Sequence, residues 1–161
     1  MSKRVVALLA FVLLAGCQND EAALPDPVST TRADILSAAQ ERDYDALRPL
    51  IKPELFLSEY SSDPVAAWQK LGDKPLRTMD VLLQMRHQVR ETNEGTLYQW
   101  PSFGPDSKPG DMSEDERRAL RKIMSEAELR DAILPEQGYT APRLGILEDG
   151  RWWFFVLESG P

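Results

Sequence analysis

Cysteine and histidine are almost missing from this chain: among 161 residues there is one of each, Cys17 and His87. A single sulfhydryl rules out an internal disulfide framework, and without a second His or Cys there is no ligand set for zinc. No apolar run reaches 18 residues, so no segment spans a bilayer as a mature helix. Nine Gly and twelve Pro without a repeat exclude collagen-like and low-complexity classes. Positive charge is short as well, with 19 Lys and Arg against 26 Asp and Glu and a formal charge of −7. That balance argues against nucleic acid, which needs a basic footprint. The motifs Gly-x-Ser-x-Gly, Gly-x-Gly-x-x-Gly and Ser-x-x-Lys, and a phosphate-cradling loop, are all missing. At 42% hydrophobic and 28% charged, what is left has the length and composition of one globular domain.

What is there begins with an address. Lys3 and Arg4 precede an apolar stretch over residues 5–15, followed by Gly16 and Cys17, which is a secretory signal pattern. At 1.5 Å per residue such a stretch cannot cross a hydrocarbon core of about 30 Å. The tetrapeptide Leu14-Ala15-Gly16-Cys17 resembles the lipobox of bacterial lipoproteins. The resemblance implies cleavage before Cys17, a diacylglyceryl thioether on its sulfur and a fatty acyl chain such as palmitate on the new amino terminus. A membrane anchor of this kind holds firmly where a single chain binds reversibly, and it accounts for a lone Cys in an exported protein. With that thiol consumed, a Cys-His catalytic pair is excluded. Gln18, where an Asp would signal inner-membrane retention, implies the outer membrane, facing the periplasm. Cleavage removes Lys3 and Arg4 and no acid, so the mature chain has 17 basic against 26 acidic side chains, a formal charge of −9. The membrane is then an anchor and not a substrate surface.

Residues 18–31 contain two Pro and no apolar period, and read as a solvated tether that follows Cys17. Residues 32–161 are then the domain. Ile35, Ala39, Ala46, Leu47, Leu50 and Ile51 share one helical face and predict a helix over 32–51, capped by Ser29, Thr30 or Thr31 and stopped by Pro53. Residues 54–60 are a short apolar run, strand or irregular. Asp63-Pro64 opens a second helix that Gly72 ends. A third starts at Pro75 with Leu76, Met79, Leu82, Leu83 and Met85 on its apolar side, and Arg86, His87 and Arg90 complementing its carboxyl end.

After a turn at Asn93-Glu94-Gly95, residues 96–103 form a strand that Pro101 confines to an edge or cuts short. A loop over 104–112 leads to Ser113 and Glu116, a capping box for a helix reaching Leu134, closed by Pro135. Residues 143–147 and 151–158 flank Asp149-Gly150 as a hairpin with a type I′ turn. The expected fold is α+β: three to four helices with a small antiparallel sheet ending in the C-terminal hairpin, the first helix packed across the sheet.

The run from Trp152 to Leu157 is apolar at six successive positions. It suits a strand covered on both faces, central in its sheet, or one whose Trp152 lines a concave patch. Tyr98, Trp100, Tyr139, Arg143 and Trp152 lie in strand-like segments and form the candidate ligand or partner patch, with chemistry suited to a small anionic or sugar-like ligand. His87 is explained by its helix end, without a metal. Asp111, Glu114, Asp115 and Glu116 lack calcium-loop spacing and read as an acidic first turn, with Glu114 paired to Arg118. No catalytic residue, metal site or cofactor is assigned.

Residues 39–47, Ala-Gln-Glu-Arg-Asp-Tyr-Asp-Ala-Leu, resemble the opening helix of nuclear-transport-factor-2-like and cystatin-like α+β domains, which implies a helix inside a curved sheet. Tyr98-Gln-Trp-Pro101, the segment 138–146 and Asp149-Gly-Arg-Trp152 resemble a group of exported bacterial proteins, a likeness that implies no activity. Two functions follow as expectations. One is a non-catalytic envelope lipoprotein that binds an envelope protein or wall component. The other is a small-ligand binder or minor enzyme using an aromatic pocket on a curved sheet.

Overall fold

A computed structural model describes residues 23–52, 56, 63–104, 106–134 and 138–157. The signal segment, Cys17, most of the 54–60 run, Pro53, Pro135 and Glu158 lie outside the described residues.

The first helix, α1, covers Asp26–Glu41 and starts earlier than expected, with a Pro in its opening turn. Pro at that place costs nothing because the first N–H groups have no intrahelical partner. Residues 26–31, expected as tether, are therefore helical, and Val28 is fully buried. The helix also stops sooner, because Arg42 is left-handed (φ +60°) and the Asp43 carboxylate accepts from the amides of Asp45 at 2.9 Å and Ala46 at 3.1 Å. That capture opens a separate 3₁₀ helix at Asp45–Leu50.

Helix α2 (Pro64–Gln69) is capped as the sequence predicts, Asp63 accepting from the Ala66 amide at 3.0 Å. Helix α3 (Lys74–Leu83) buries Leu76, Met79, Leu82 and Leu83. Its carboxyl end is not served by Arg86, His87 and Arg90. The Arg32 guanidinium of α1 reaches across instead, its Nε donating to the Leu83 carbonyl at 2.9 Å and its Nη2 to the same oxygen.

Strands β1 (Gln88–Thr92) and β2 (Gly95–Trp100) form a hairpin through Asn93-Glu94, so Arg90 belongs to a strand and not a helix end. Pro101 ends β2, which nevertheless lies inside the sheet. The expected helix to Leu134 is two helices, α4 (Glu114–Leu120) and α5 (Glu126–Arg130), each opened by its own capping box: Ser113 with Glu116, and Ser125 with Glu128. Strands β3 (Ile133–Leu134) and β4 (Gly138–Tyr139) pair with each other.

Strands β5 (Arg143–Leu147) and β6 (Trp152–Val156) complete a four-stranded antiparallel sheet in the order β1-β2-β5-β6. The fold is thus α+β and ends in a hairpin, with α1 and α3 against β5. The hairpin turn is not type I′. The Gly150 amide donates to the Leu147 carbonyl and the Leu147 amide to that of Arg151, both at 2.9 Å, with Gly150 at φ +84°. Arg42 is the only non-glycine with positive φ among the described residues, so Asp149 is right-handed and the turn is type I with a glycine bulge.

Strand β6 is an edge strand and not a central one, yet it is apolar on both faces for a local reason. The register slips between Gly145 and Ile146: Phe154 faces Gly145 while Trp152 faces Ile146, leaving Trp153 as a bulge. One extra residue reverses the alternation. Trp152 therefore joins Phe155 and Leu157 in the main core beneath the helices, whereas Phe154 and Val156 meet Leu97 and Leu147 on the opposite face.

Candidate functional site

The five residues proposed from sequence do not all line any one of three hollows among the described residues. On the helix-facing side of the sheet, Tyr98, Ile146 and Trp152 make one row across three strands, and Trp100, Leu144 and Phe155 make the next. Tyr98 and Trp152 are thus two strand spacings apart, about 10 Å. Trp152 belongs to an aromatic cluster, with ring centroids 5.2 Å from Phe56 and 5.7 Å from Trp68, and its indole N–H donates to the Phe154 carbonyl at 3.0 Å.

Trp100 is fully buried under Arg32, whose guanidinium carbon lies 6.0 Å from the ring, and its indole N–H has no hydrogen-bond partner. Tyr139 is buried beside Phe103, donates to the Pro142 carbonyl at 3.0 Å, and has its hydroxyl pKa pushed up by burial against a smaller opposing pull from Arg143. Arg143 opens β5 opposite Val156. His87, in the loop before β1, sits half-buried 5.8 Å from the Tyr98 ring and 5.4 Å from that of Trp100. These side chains make the core and its rim.

The acidic cluster is dispersed among separate partners. Asp111 accepts from the Lys108 amide, Asp115 from Arg118, and Glu114 from Arg121 at 2.7 Å and not from Arg118. Glu116 turns inward, its side chain only 7% exposed. One of its oxygens accepts from Arg86 Nη2 at 2.7 Å and from Ser102, and the other from the Ser113 hydroxyl at 2.7 Å. Burial alone would raise its pKa, but the Ser113 hydroxyl and amide and the Arg86 charge outweigh it and hold the carboxyl below its ordinary value. Among the described residues no group of three His, Cys, Asp or Glu side chains could hold a metal ion.

Trp152 lines a hollow of about 190 Å³ with Pro49, Leu50, Lys52 and Asp149, and two further hollows lie away from the five residues. A groove of about 390 Å³ runs between the start of α3, helix α5 and the segment ahead of β5. Ile123, Met124, Ala127, Ala132, Ala141, Pro142 and Leu157 supply its apolar lining, with Lys74, Glu128 and Asp131 charged at the rim. A second hollow of about 210 Å³ shares Lys74, Ile123 and Met124 and adds Arg77, Arg121 and Lys122. Here the acidic chain gathers its cations.

Glu128 is held below its ordinary pKa by the amide and hydroxyl of Ser125 and by Lys74. Neither hollow is lined by Ser, Cys or His. An apolar floor between a basic end and an acidic end can hold an extended segment by burial and orient it by charge. The missed signal was Ser125-x-x-Glu128, which breaks the long helix and brings Ile123, Met124 and Ala127 to a corner.

Comparison with protein-family models, curated proteins and solved structures finds no match. No helix among the described residues is long and apolar enough to cross a membrane.

Proposed function

We propose that this protein is a lipid-anchored, non-catalytic binding module of the bacterial cell envelope, held in the outer membrane through Cys17 and facing the periplasm. The observation that carries the reading is the lone Cys at the end of Leu14-Ala15-Gly16-Cys17, directly after a basic and apolar leader. The groove between α3 and α5 supports the binding reading, because that surface has the apolar floor and opposed charges of a docking site. Its partner is an envelope protein or wall component with an apolar segment and acidic groups to meet Arg77 and Lys122.

Two measurements test this. Metabolic labelling with an alkyne fatty acid should tag the wild type and not Cys17→Ser, and tagging of that variant defeats the anchor. Crosslinking in intact cells should yield an envelope adduct that is lost in Cys17→Ser and weakened in the charge reversal Lys122→Glu. An adduct indifferent to both changes removes the groove from the reading.

A further inference from the structure

The length of chain between anchor and domain decides which surface a partner can reach. The chain is fixed to the core from Leu24, which packs against the main apolar cluster. Three residues on, Pro27 touches the C-terminal hairpin turn: a Cβ on Gly150 would lie 2.9 Å from the Pro27 carbonyl oxygen. The Thr31 hydroxyl donates to the Gly150 carbonyl at 2.7 Å. The β1-β2 turn lies at the same end, since the Glu148 amide donates to the Thr96 carbonyl at 2.9 Å. The α3-α5 groove lies at the other end of the strands, where Pro142 enters β5 and Leu157 leaves β6.

Cys17 and Leu24 are seven positions apart in the sequence. Seven residues span at most about 25 Å when fully extended, and about 15 Å on average as a flexible chain. A domain of about 130 residues is about 35 Å across. We infer that the anchored protein keeps its two hairpin turns toward the bilayer and holds the α3-α5 groove out into the aqueous phase, where it takes a water-borne protein segment and not a lipid. This rests on the lipid anchor at Cys17. Laying the groove on the membrane would lift Leu24 by at least the rise of β5 from Pro142 to Glu148, about 20 Å, which the leash meets only when almost fully extended. A leash running to residue 32 would have allowed it easily.

The test uses the full-length acylated protein in phosphatidylethanolamine and phosphatidylglycerol vesicles that contain a headgroup nitroxide lipid. Cys17 is blocked by its thioether, so Glu94→Cys in the β1-β2 turn, or Lys122→Cys at the groove, provides the one thiol for a fluorophore. Both positions are exposed. Quenching at position 94 should exceed that at 122 by about threefold or more, and a long Gly/Ser insertion after Gln18 should erase the difference. Equal or stronger quenching at 122 in protein that floats with the vesicles overturns the orientation and leaves the anchor standing. Protein that fails to float overturns the anchor and the inference with it.

Discussion

Arg86 and Glu116 make a forked contact in which two guanidinium nitrogens, Nε at 3.0 Å and Nη2 at 2.7 Å, donate to one carboxylate oxygen. The arginine comes from the loop that leaves α3, and the glutamate closes the capping box of α4. One carboxylate therefore caps one helix and ties it to the segment that enters the sheet.

Glu116→Ala should destabilise the protein by about 2–3 kcal/mol, since it removes hydrogen bonds to a charged group and half of a capping box. Glu114→Ala, which loses only exposed ion pairs, should cost far less. Urea unfolding midpoints of the two variants check the contrast. Equal midpoints would mean that Glu116 organises nothing.

The same carboxylate sets an acid limit. Its pKa is lower in the folded protein than in the unfolded chain, so its stabilisation is fully present above the unfolded value near 4.5 and is lost as pH falls through the folded value. Melting temperature should be flat from pH 7 to about 5 and drop below that. In Glu116→Gln the drop should be shallower, and a parallel curve would assign the acid sensitivity to other groups.

Features governed by local chemistry were legible in the sequence. Asp63-Pro64, Ser113 with Glu116, and the strands around Asp149-Gly150 all stand where caps and turn residues put them, because each depends on neighbours within a few positions. The misread features depend on competition or on distant contacts. Asp26-Pro27 reads equally as tether or as a helix start, and only the docking of Val28 in the core decides for helix. The strand Gln-Val-Arg-Glu-Thr has a single apolar residue, Val89, itself exposed, so no hydrophobic alternation betrays β1. The face of Trp152 turns on parity, since strict alternation puts it with Phe154, and the bulge at Trp153 puts it with Phe155 on the face that also carries Tyr98 and Trp100. The groove was invisible because its lining comes from segments far apart in sequence.

Gly145 is a packing glycine. A Cβ there would sit 2.5 Å from Cε1 of Phe154 and 2.9 Å from Cδ1 of Leu97, so the Phe154 ring needs the bare backbone. Gly145→Ala should cost about 1–3 kcal/mol by overpacking. Adding Phe154→Leu should recover part of that loss, a coupling that a double-mutant cycle of unfolding free energies measures directly. Strict additivity would show that the ring moves aside freely.

Two buried tryptophans should answer differently to the same substitution. The Trp152 indole N–H donates to the Phe154 carbonyl, whereas the Trp100 indole N–H is buried without a partner. Trp152→Phe removes volume and a buried hydrogen bond, and both changes destabilise, by about 2–4 kcal/mol together. Trp100→Phe removes similar volume but also deletes an unpaired buried donor, whose desolvation penalty of about 1–3 kcal/mol is relieved. Trp100→Phe should therefore cost clearly less, and Trp100 should be the safer position to alter when the remaining tryptophans are used as fluorescent reporters. Were Trp152 a ligand-contacting residue on an open surface, its substitution would leave the unfolding midpoint nearly unmoved, and the assignment of this side chain to the core would fall.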